Sequence, residues 1–389
     1  MIKRRYASKD SAGVSRVNMQ KQSTILTNTA ATPVLMIASS ARMLAQLAHQ
    51  VGITVVVIDL FADTDTQQTA LESVLVSSLS IDNLRYAVKY FINKYAITTA
   101  VYGSGFEAHA ESLFYLAKQL TLCGNAPQIF VNIQNKALFF KALTVANIPF
   151  PEVTFTMPST NKTWLFKPNL GQGGQGIHYL SQQDDARQGY WQAYIKGQVG
   201  SVIFFAKDKK SQLIGFNTQW SEALAEDDFV FSGIINHSDL PDNCRTLLAQ
   251  WIATLTRLFC LQGINSMDFI YAKGQLYVLE INARIPASVQ LYSPTWFYQH
   301  VINLVYYVKT DVAQKGFTAY QIVYAAQQCY IPTTWHWPEN CVDLSERGVK
   351  ISKNQPICSI IATDKTPSNV VRAIQKQRQF IVDQLPRTS

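Results

Sequence analysis

The sequence predicts an α/β and α+β protein, with a doubly wound parallel sheet at the N-terminus, a long β-rich α+β stretch in the middle and a small mixed β-rich unit at the end. Three observations predict it. Up to about residue 125, short apolar runs alternate with helical stretches across Ser- and Gly-containing turns, the pattern of a parallel sheet. From 163 to 281 strands dominate, and the last two, over 266–271 and 275–281, are joined by Ala272-Lys273-Gly274, a hairpin signal. Beyond 301, Pro332, Pro338, Gly348 and Pro356 space short strands before a closing helix near 368–381.

Taken in order, 33–38 reads as a strand, Ser39-Ser40 as a capped turn and 41–50 as a helix. A second strand spans 53–60, and a loop begins at Phe61-Ala62-Asp63. A third strand, 96–102, runs into Gly103-Ser104-Gly105 and a helix over 106–120. That turn lacks the third glycine of a dinucleotide fingerprint, and tight-turn geometry explains it as well as phosphate binding does. Cys123-Gly124-Asn125-Ala126-Pro127 breaks the alternation and marks a boundary. A helix over 132–146 follows, ended by Asn147-Ile148-Pro149-Phe150-Pro151. Strands over 163–167, 177–180, 190–195, 201–206 and 213–220 come next, then a loop over 220–233 and a helix over 243–261. The expected organisation is a basic leader over 1–30, an N-terminal domain over 31–125, a central domain over 126–300 and a C-terminal domain over 301–389.

Composition narrows the function classes. Of 389 residues, 48 % are hydrophobic and only 15 % charged, which suits a large packed core and argues against disorder. The net charge of +8 favours a polyanionic partner, and a nucleotide triphosphate fits as well as nucleic acid. No dense Lys/Arg stripe or nucleic-acid-binding signature is present, so no nucleic-acid partner is expected. Lys3, Arg4, Arg5, Lys9, Arg16 and Lys21 precede no apolar core, unlike a signal peptide. No apolar run approaches the roughly 20 residues that cross a bilayer, and no membrane partner is expected. The six cysteines, scattered without zinc-ligand spacing, read as free thiols in a reducing cytoplasm, which sets the expected location.

Three elements carry chemistry. The first is Lys167, at the end of a strand just before a loop with glycines at Gly171, Gly173, Gly174 and Gly176. Such a loop lets backbone N–H groups close over phosphate oxygens, although glycines alone also make a plain flexible hairpin. The second is Asp268 with the strand holding Glu280, Asn282 and Arg284, which alternation turns to one face. Two carboxylates and an amide oxygen converging there suit Mg²⁺ held together with phosphates. Arg284 beside them suits bidentate binding of a phosphoryl group or a carboxylate. The third is Asn135-Lys136, upstream of Ile148-Pro149-Phe150-Pro151. Unaided, Lys136 is an ordinary helix lysine.

In this order the three elements resemble the ATP-grasp superfamily, over nearly the whole chain. There a lysine precedes a Pro-x-Pro boundary, as Lys136 does, and a second lysine opens the glycine-rich loop, as Lys167 does. An acidic residue and a later Glu-Ile-Asn-x-Arg carry the magnesium ligands, as Asp268, Glu280 and Asn282 would. Further stretches, among them Tyr102–Glu107, Cys123-Gly124-Asn125 and Gly348 with Gln355–Cys358, are similar to the biotin-carboxylase-related predicted ATP-dependent carboligase branch, some of whose members resemble tyramine–glutamate ligases of methanofuran-type, one-carbon coenzyme synthesis.

The resemblance implies a pre-ATP-grasp N-terminal domain, a two-lobed ATP-grasp domain and a small β-rich C-terminal domain. It implies ATP and Mg²⁺, with Mn²⁺ as a substitute, bound by Lys136, Lys167, the four loop glycines and the hinge Gln192, Ala193, Tyr194 and Ile195. Arg284 and Lys167 would be catalytic. The implied reaction joins a small-molecule carboxylate to an amine through an acyl-phosphate and releases ADP and phosphate. Bicarbonate-dependent carboxylation and a non-catalytic nucleotide-binding protein are the alternatives, and a homodimer is an option. One departure stands out: no acid occupies the region of Val199, where many relatives hold the ribose, so Gln198 or the main chain would substitute. His178, Trp220, Glu226 and Tyr292 are candidates to line the pocket, although ordinary packing or surface roles suit each better, and Glu107 either receives a substrate ammonium or compensates its helix dipole.

Overall fold

The computed structural model describes residues 32–159, 161–186, 188–225, 227–302 and 316–386. The basic leader and Glu226 lie outside the described residues. The first unit runs β1 (Val34–Ile37), α1 (Arg42–Gln50), β2 (Val55–Asp59), α2 (Thr64–Thr69), β3 (Glu72–Leu75), α3 (Ile81–Tyr95), β4 (Thr99–Tyr102), α4 (Ala110–Gln119) and β5 (Thr121–Cys123). Its five strands are parallel in the order β3-β2-β1-β4-β5. Leu35, Ile37, Val56 and Ile58 are shielded on one side while Met36, Val55, Val57 and Val101 face a second buried cluster, so helices cover both faces. The order reverses between β1 and β4. The turns after these strands, Ser39-Ser40 and Gly103-Ser104-Gly105, therefore open onto a crevice at the strands' carboxyl ends.

The chain then forms α5 (Pro127–Gln134) and α6 (Lys136–Val145). The single helix expected over 132–146 is thus broken at Asn135. Asn135 leaves the helical region at ψ 94° and accepts from the Leu138 amide, ending one helix and capping the next. β6 (Val153–Thr154), β7 (Trp164–Pro168), β8 (His178–Tyr179) and β9 (Gly189–Ala193) make a small antiparallel sheet in the order β6-β9-β7-β8.

Next come β10 (Gln198–Lys207), β11 (Lys210–Leu224), β12 (Asp227–Ile235), α7 (Asp242–Phe259), β13 (Gly263–Ala272), β14 (Gln275–Asn282), α8 (Thr295–Ile302), β15 (Phe317–Tyr324), β16 (Cys329–Tyr330), β17 (Cys341–Val342), β18 (Lys350–Ile351), β19 (Pro356–Asp364) and α9 (Pro367–Gln384). One eight-stranded sheet has the order β14-β13-β10-β11-β12-β15-β19-β17, so the C-terminal strands extend the central sheet through β12 and β15. The loop expected over 220–233 is instead the end of β11 and most of β12. Gly233 lets the Trp220 ring lie flat across its backbone, which holds the two strands together there.

A buried ion pair closes the molecule on itself. Arg42, at the start of α1, donates Nε and Nη2 to the two carboxylate oxygens of Asp343 at 2.8 and 3.1 Å. Asp65 accepts from the amides of Asp343 and Leu344 at 3.0 and 3.1 Å. Among the described residues, no helix is long and apolar enough to cross a membrane. Five of the six cysteines are buried free thiols, and Cys260 is exposed.

Candidate active site

The hairpin of β13 and β14 places two carboxylates side by side. Asp268 stands directly opposite Glu280, and Ser266 opposite Asn282. Leu279 is extra on its strand, a bulge just beyond the acidic pair that re-aims the strand. The neighbours Met267, Phe269, Val278 and Ile281 point the other way, into the cluster containing Leu248, Ile252 and Leu255 of α7. Alternation therefore buries one face and presents the acids on the other. Asn282 Nδ2 donates to Asp268 Oδ2 at 3.1 Å and to Ser266 Oγ at 3.3 Å, which leaves its Oδ1 as an acceptor. Gln219 reaches the other oxygen of Asp268 at 3.4 Å, a residue that nothing in its sequence neighbourhood marks.

Burial in the cleft and the neighbouring Glu280 charge push the Asp268 carboxyl up to about 7. Glu280 goes the other way. Burial raises it, but the charges of Lys136, Lys167 and Arg284 outweigh burial and hold it below the usual carboxylate range.

Lys136 Nζ lies 3.0 Å from Glu280 Oε2. It is the first residue of α6, where a cation opposes the helix dipole, so helix stability does not account for it. Lys167 comes from the opposite sheet. In β7 it pairs with Tyr190, and Leu165 with Gln192, so these four share the face turned to the acids. Burial and the nearby Lys136 charge lower the Lys167 ammonium pKa, against the pull of Glu280. Among the described residues no carboxylate lies within ion-pair distance of Lys167.

The loop that follows Lys167 is held by its glycines. Gly173, Gly174 and Gly176 have φ of +61°, +76° and +73°, the left-handed region that favours glycine. At Gly174 there is a second reason, since a Cβ there would overlap the Phe229 carbonyl oxygen. The loop is docked on β12: the Phe231 amide donates to Gly173 O at 2.8 Å, and the Gly176 amide to Asp227 Oδ1 at 2.9 Å. The amides of Gly171 to Gly174 donate to no described residue, which leaves a run of N–H groups for an anion. Gln172 reaches across to Ser39 Oγ at 3.4 Å, over the crevice between β1 and β4.

Arg284 Nε donates to Glu107 Oε1 at 2.6 Å, and the other Glu107 oxygen accepts from the Gly105 amide at 2.8 Å. Both oxygens of Glu107 are thus engaged, and the residue orients the arginine instead of standing open for an ammonium. The Nη1 and Nη2 groups of Arg284 donate to no described residue and form a fork in a cavity shared with Lys136, Gln172, Glu280 and Asn282.

The expected hinge lies at the end of β9. The amides of Ala193 and Tyr194 are spent on Glu152 O and Thr163 O, both at 2.8 Å, while that of Ile195 donates to no described residue. Gln192 is buried, with its Nε2 unpartnered among the described residues. The rings of Tyr179, Tyr194 and Phe229 pack mutually, with centroids 5.6 to 6.0 Å apart, and close the gap between hinge and loop.

The other lining candidates have the packing roles that suited them better. His178 pairs with Phe166, on the sheet face opposite Lys167, and its Nε2 contacts Asp184 at 2.8 Å. Trp220 packs on Gly233, and Tyr292 packs on Gly215 and donates to Asn217 Oδ1 at 2.7 Å; neither lines the cavity. Gln198, the expected stand-in for a ribose-binding acid, donates to Thr218 and lines a separate groove beside α9.

Among the described residues, no group of three or more His, Cys, Asp or Glu side chains could hold a metal ion. The set present, two carboxylates and one amide oxygen, is all hard oxygen. It matches Mg²⁺, which keeps waters and takes substrate phosphates rather than a full protein cage.

Residues 133–288, which hold Lys136, Lys167, the glycine loop, Gln192, Asp268, Glu280, Asn282 and Arg284 but not Glu107 or Ser39, match the family model of the ATP-grasp domain. This stretch is an ATP-grasp domain. No curated protein sequence matches the chain. Solved structures match almost end to end at low identity. The biotin carboxylase domain of Hydrogenobacter thermophilus 2-oxoglutarate carboxylase, with MgADP, ADP and bicarbonate, is similar at a TM-score of 0.71 and 13 % identity, over 91 % of this chain and 90 % of that one. L-amino acid ligase from Bacillus licheniformis is similar at 0.70 and 12 %, over 92 % and 99 %. N5-carboxyaminoimidazole ribonucleotide synthetase from Thermotoga maritima is similar at 0.65 and 12 %, over 90 % and 98 %. At such identity the likeness establishes the fold: a parallel N-terminal sheet, the ATP-grasp domain and an antiparallel β-rich C-terminal region.

Proposed function

We propose that the chain is an ATP-dependent ligase that activates a small carboxylate as an acyl-phosphate, passes the acyl group to an amine and releases ADP and phosphate. The observation that carries this reading is Lys167, half-buried with its ammonium desolvated opposite Asp268 and Glu280 and no ion-pair partner among the described residues, under a loop with free backbone N–H groups. A desolvated cation in such a place is best explained by an anion that arrives with the substrate.

Lys136 and Lys167 bind the phosphates, and the amides of 171–174 cover the terminal one. Asp268, Glu280 and the Asn282 amide oxygen would hold Mg²⁺, which when bound neutralises charge on the phosphate oxygens. The Ile195 amide and Gln192 Nε2 offer the base two donors. The Arg284 fork, kept in orientation by Glu107, grips the carboxylate and aligns it for attack on the terminal phosphorus. The docked loop excludes water from the acyl-phosphate, which would otherwise hydrolyse.

For the acceptor half, an amino acid such as glutamate joined to an amine in coenzyme assembly is the first pair to try. Arg284 matches the carboxylate, and the glutamate–tyramine chemistry follows the sequence resemblance. Chromatography of the nucleotide after turnover tests the mechanism: ADP is expected, and AMP as the main product would refute it. An ADP-release assay with glutamate and tyramine, then other pairs, tests the substrates. Release driven by bicarbonate without any amine would favour carboxylation instead.

A further inference from the structure

The stretch Cys123-Gly124-Asn125, between β5 and α5, takes no part in the chemistry above, yet it meets the strand that carries it. β14 ends at Asn282, whose pairing with Ser266 is the last of the ladder, so among the described residues Ala283 and Arg284 lie beyond the sheet. Asn125 holds the backbone there. It is 1 % exposed, and its Nδ2 donates to the Ala283 carbonyl at 3.0 Å and to Asn265 Oδ1 at 2.6 Å. Its Oδ1 accepts from the Gln262 amide at 2.7 Å. Tyr102 OH lies 2.8 Å from the Asn125 carbonyl and 3.3 Å from that of Ala283, bridging the same two residues. One side chain thus ties the loop before β13, β13 itself and the exit of β14.

The joint has no slack. Gly124 and Gly263 adopt φ of +101° and +69°, and a Cβ on them would come within 2.8 and 2.5 Å of the buried His300 ring between them. His300 Nδ1 accepts from the Ile264 amide at 3.0 Å, which fixes the ring.

We infer that Asn125 is a positioning residue: through the Ala283 carbonyl it sets where Asn282 and Arg284 stand, so that metal recognition depends on a joint outside the site. The inference rests on the proposed metal site and deepens it. Asn125→Ala removes both donors, and Tyr102→Phe removes only the hydroxyl while keeping the ring. In the full chain, calorimetry with ADP in EDTA reads nucleotide affinity, and titration of the ADP complex with Mg²⁺ reads the metal.

Asn125→Ala is expected to leave ADP affinity in EDTA within about twofold and to raise the Mg²⁺ midpoint about tenfold, the usual effect of losing a group that orients a metal ligand. Tyr102→Phe should move it less, in the same direction, and excess Mg²⁺ should restore metal loading in both. A folded Asn125→Ala protein with an unchanged Mg²⁺ midpoint overturns the inference. If that variant fails to fold, Tyr102→Phe decides by the same criterion. The wild-type titration separates the two levels of the argument: ADP binding that never responds to Mg²⁺ removes the metal site itself.

Discussion

Asp268 and Glu280 face each other across adjacent strands, but their protons behave in opposite ways, because Lys136 reaches Glu280 and not Asp268. The pair thus enters the site with one firm negative charge and one that a cation must claim.

Removing the firm charge is the most direct test. Glu280→Gln keeps the shape of the side chain and leaves Lys136 without its partner. Turnover is expected to fall by on the order of a hundredfold or more, as for loss of a group that stabilises transition-state charge. Circular dichroism should show the fold unchanged. Near-normal turnover would take Glu280 out of the site.

The two lysines should separate in a binding assay. Lys167→Ala is expected to weaken ATP binding by about 1.5–3 kcal/mol, the scale of a charged hydrogen bond. Lys136→Ala should weaken it as well and, by unpairing Glu280, raise the pH at which that carboxylate ionises. Equal affinity in both variants and the parent would make them ordinary lysines.

The raised Asp268 pKa gives a pH signature. Its folded value, about 7, exceeds the ordinary 3.8, so between these values the folded chain holds a proton that the unfolded chain has released. This group's contribution to stability therefore falls as pH rises from about 4 to 7. Mg²⁺ must displace the same proton. Its midpoint should tighten by up to about tenfold per pH unit below 7, the limit for one proton, and level off above. Asp268→Asn should flatten that dependence, and a pH-independent midpoint in the parent would refute it.

Two neighbouring glycines should respond differently. Gly173→Ala meets open space and is expected to cost only about 1–2 kcal/mol for the left-handed backbone. Gly174→Ala bears a similar strain and also drives a methyl into the Phe229 carbonyl, so the loop must lift from β12. Nucleotide affinity should drop far more for Gly174→Ala, and equal losses would show that the docking seen here is not used.

Much of the fold was legible, because alternation and turn chemistry are local. The apolar runs at β1, β2 and β4 and the hairpin at Lys273-Gly274, with φ of +50° and +81°, announced themselves. β3 and α3 did not. β3 is a four-residue edge strand, and α3 mixes four buried residues among charged and aromatic exposed ones. β12 was hidden because its apolar residues follow Asp227-Asp228 and are interrupted by Ser232 and Gly233. The shared face of Asp268, Glu280 and Asn282 could be derived from strand period, and Lys167 from its place before the glycine loop, whereas Lys136 stood out only through resemblance. Gln219 had no local signal, and Asn125 was marked only by a boundary and a resemblance, not by its contacts. Their partners lie 49 to 158 residues away, and hydrogen bonds at that range exist only once the chain has folded.

The pairing of β12 with β15 also bears on how the chain is made. Gly233, Ile234 and Ile235 have their outer neighbours in Gln321, Tyr320 and Ala319, more than 80 residues later. Until the ribosome has released that stretch, a nearly finished ATP-grasp domain carries an open β edge beside apolar side chains, a template for sticking to other chains. Chains cut after residue 302 would keep that edge permanently. They should aggregate even though every candidate site residue is present, and adding β15–β19 back, not mutating the site, is what would make them soluble.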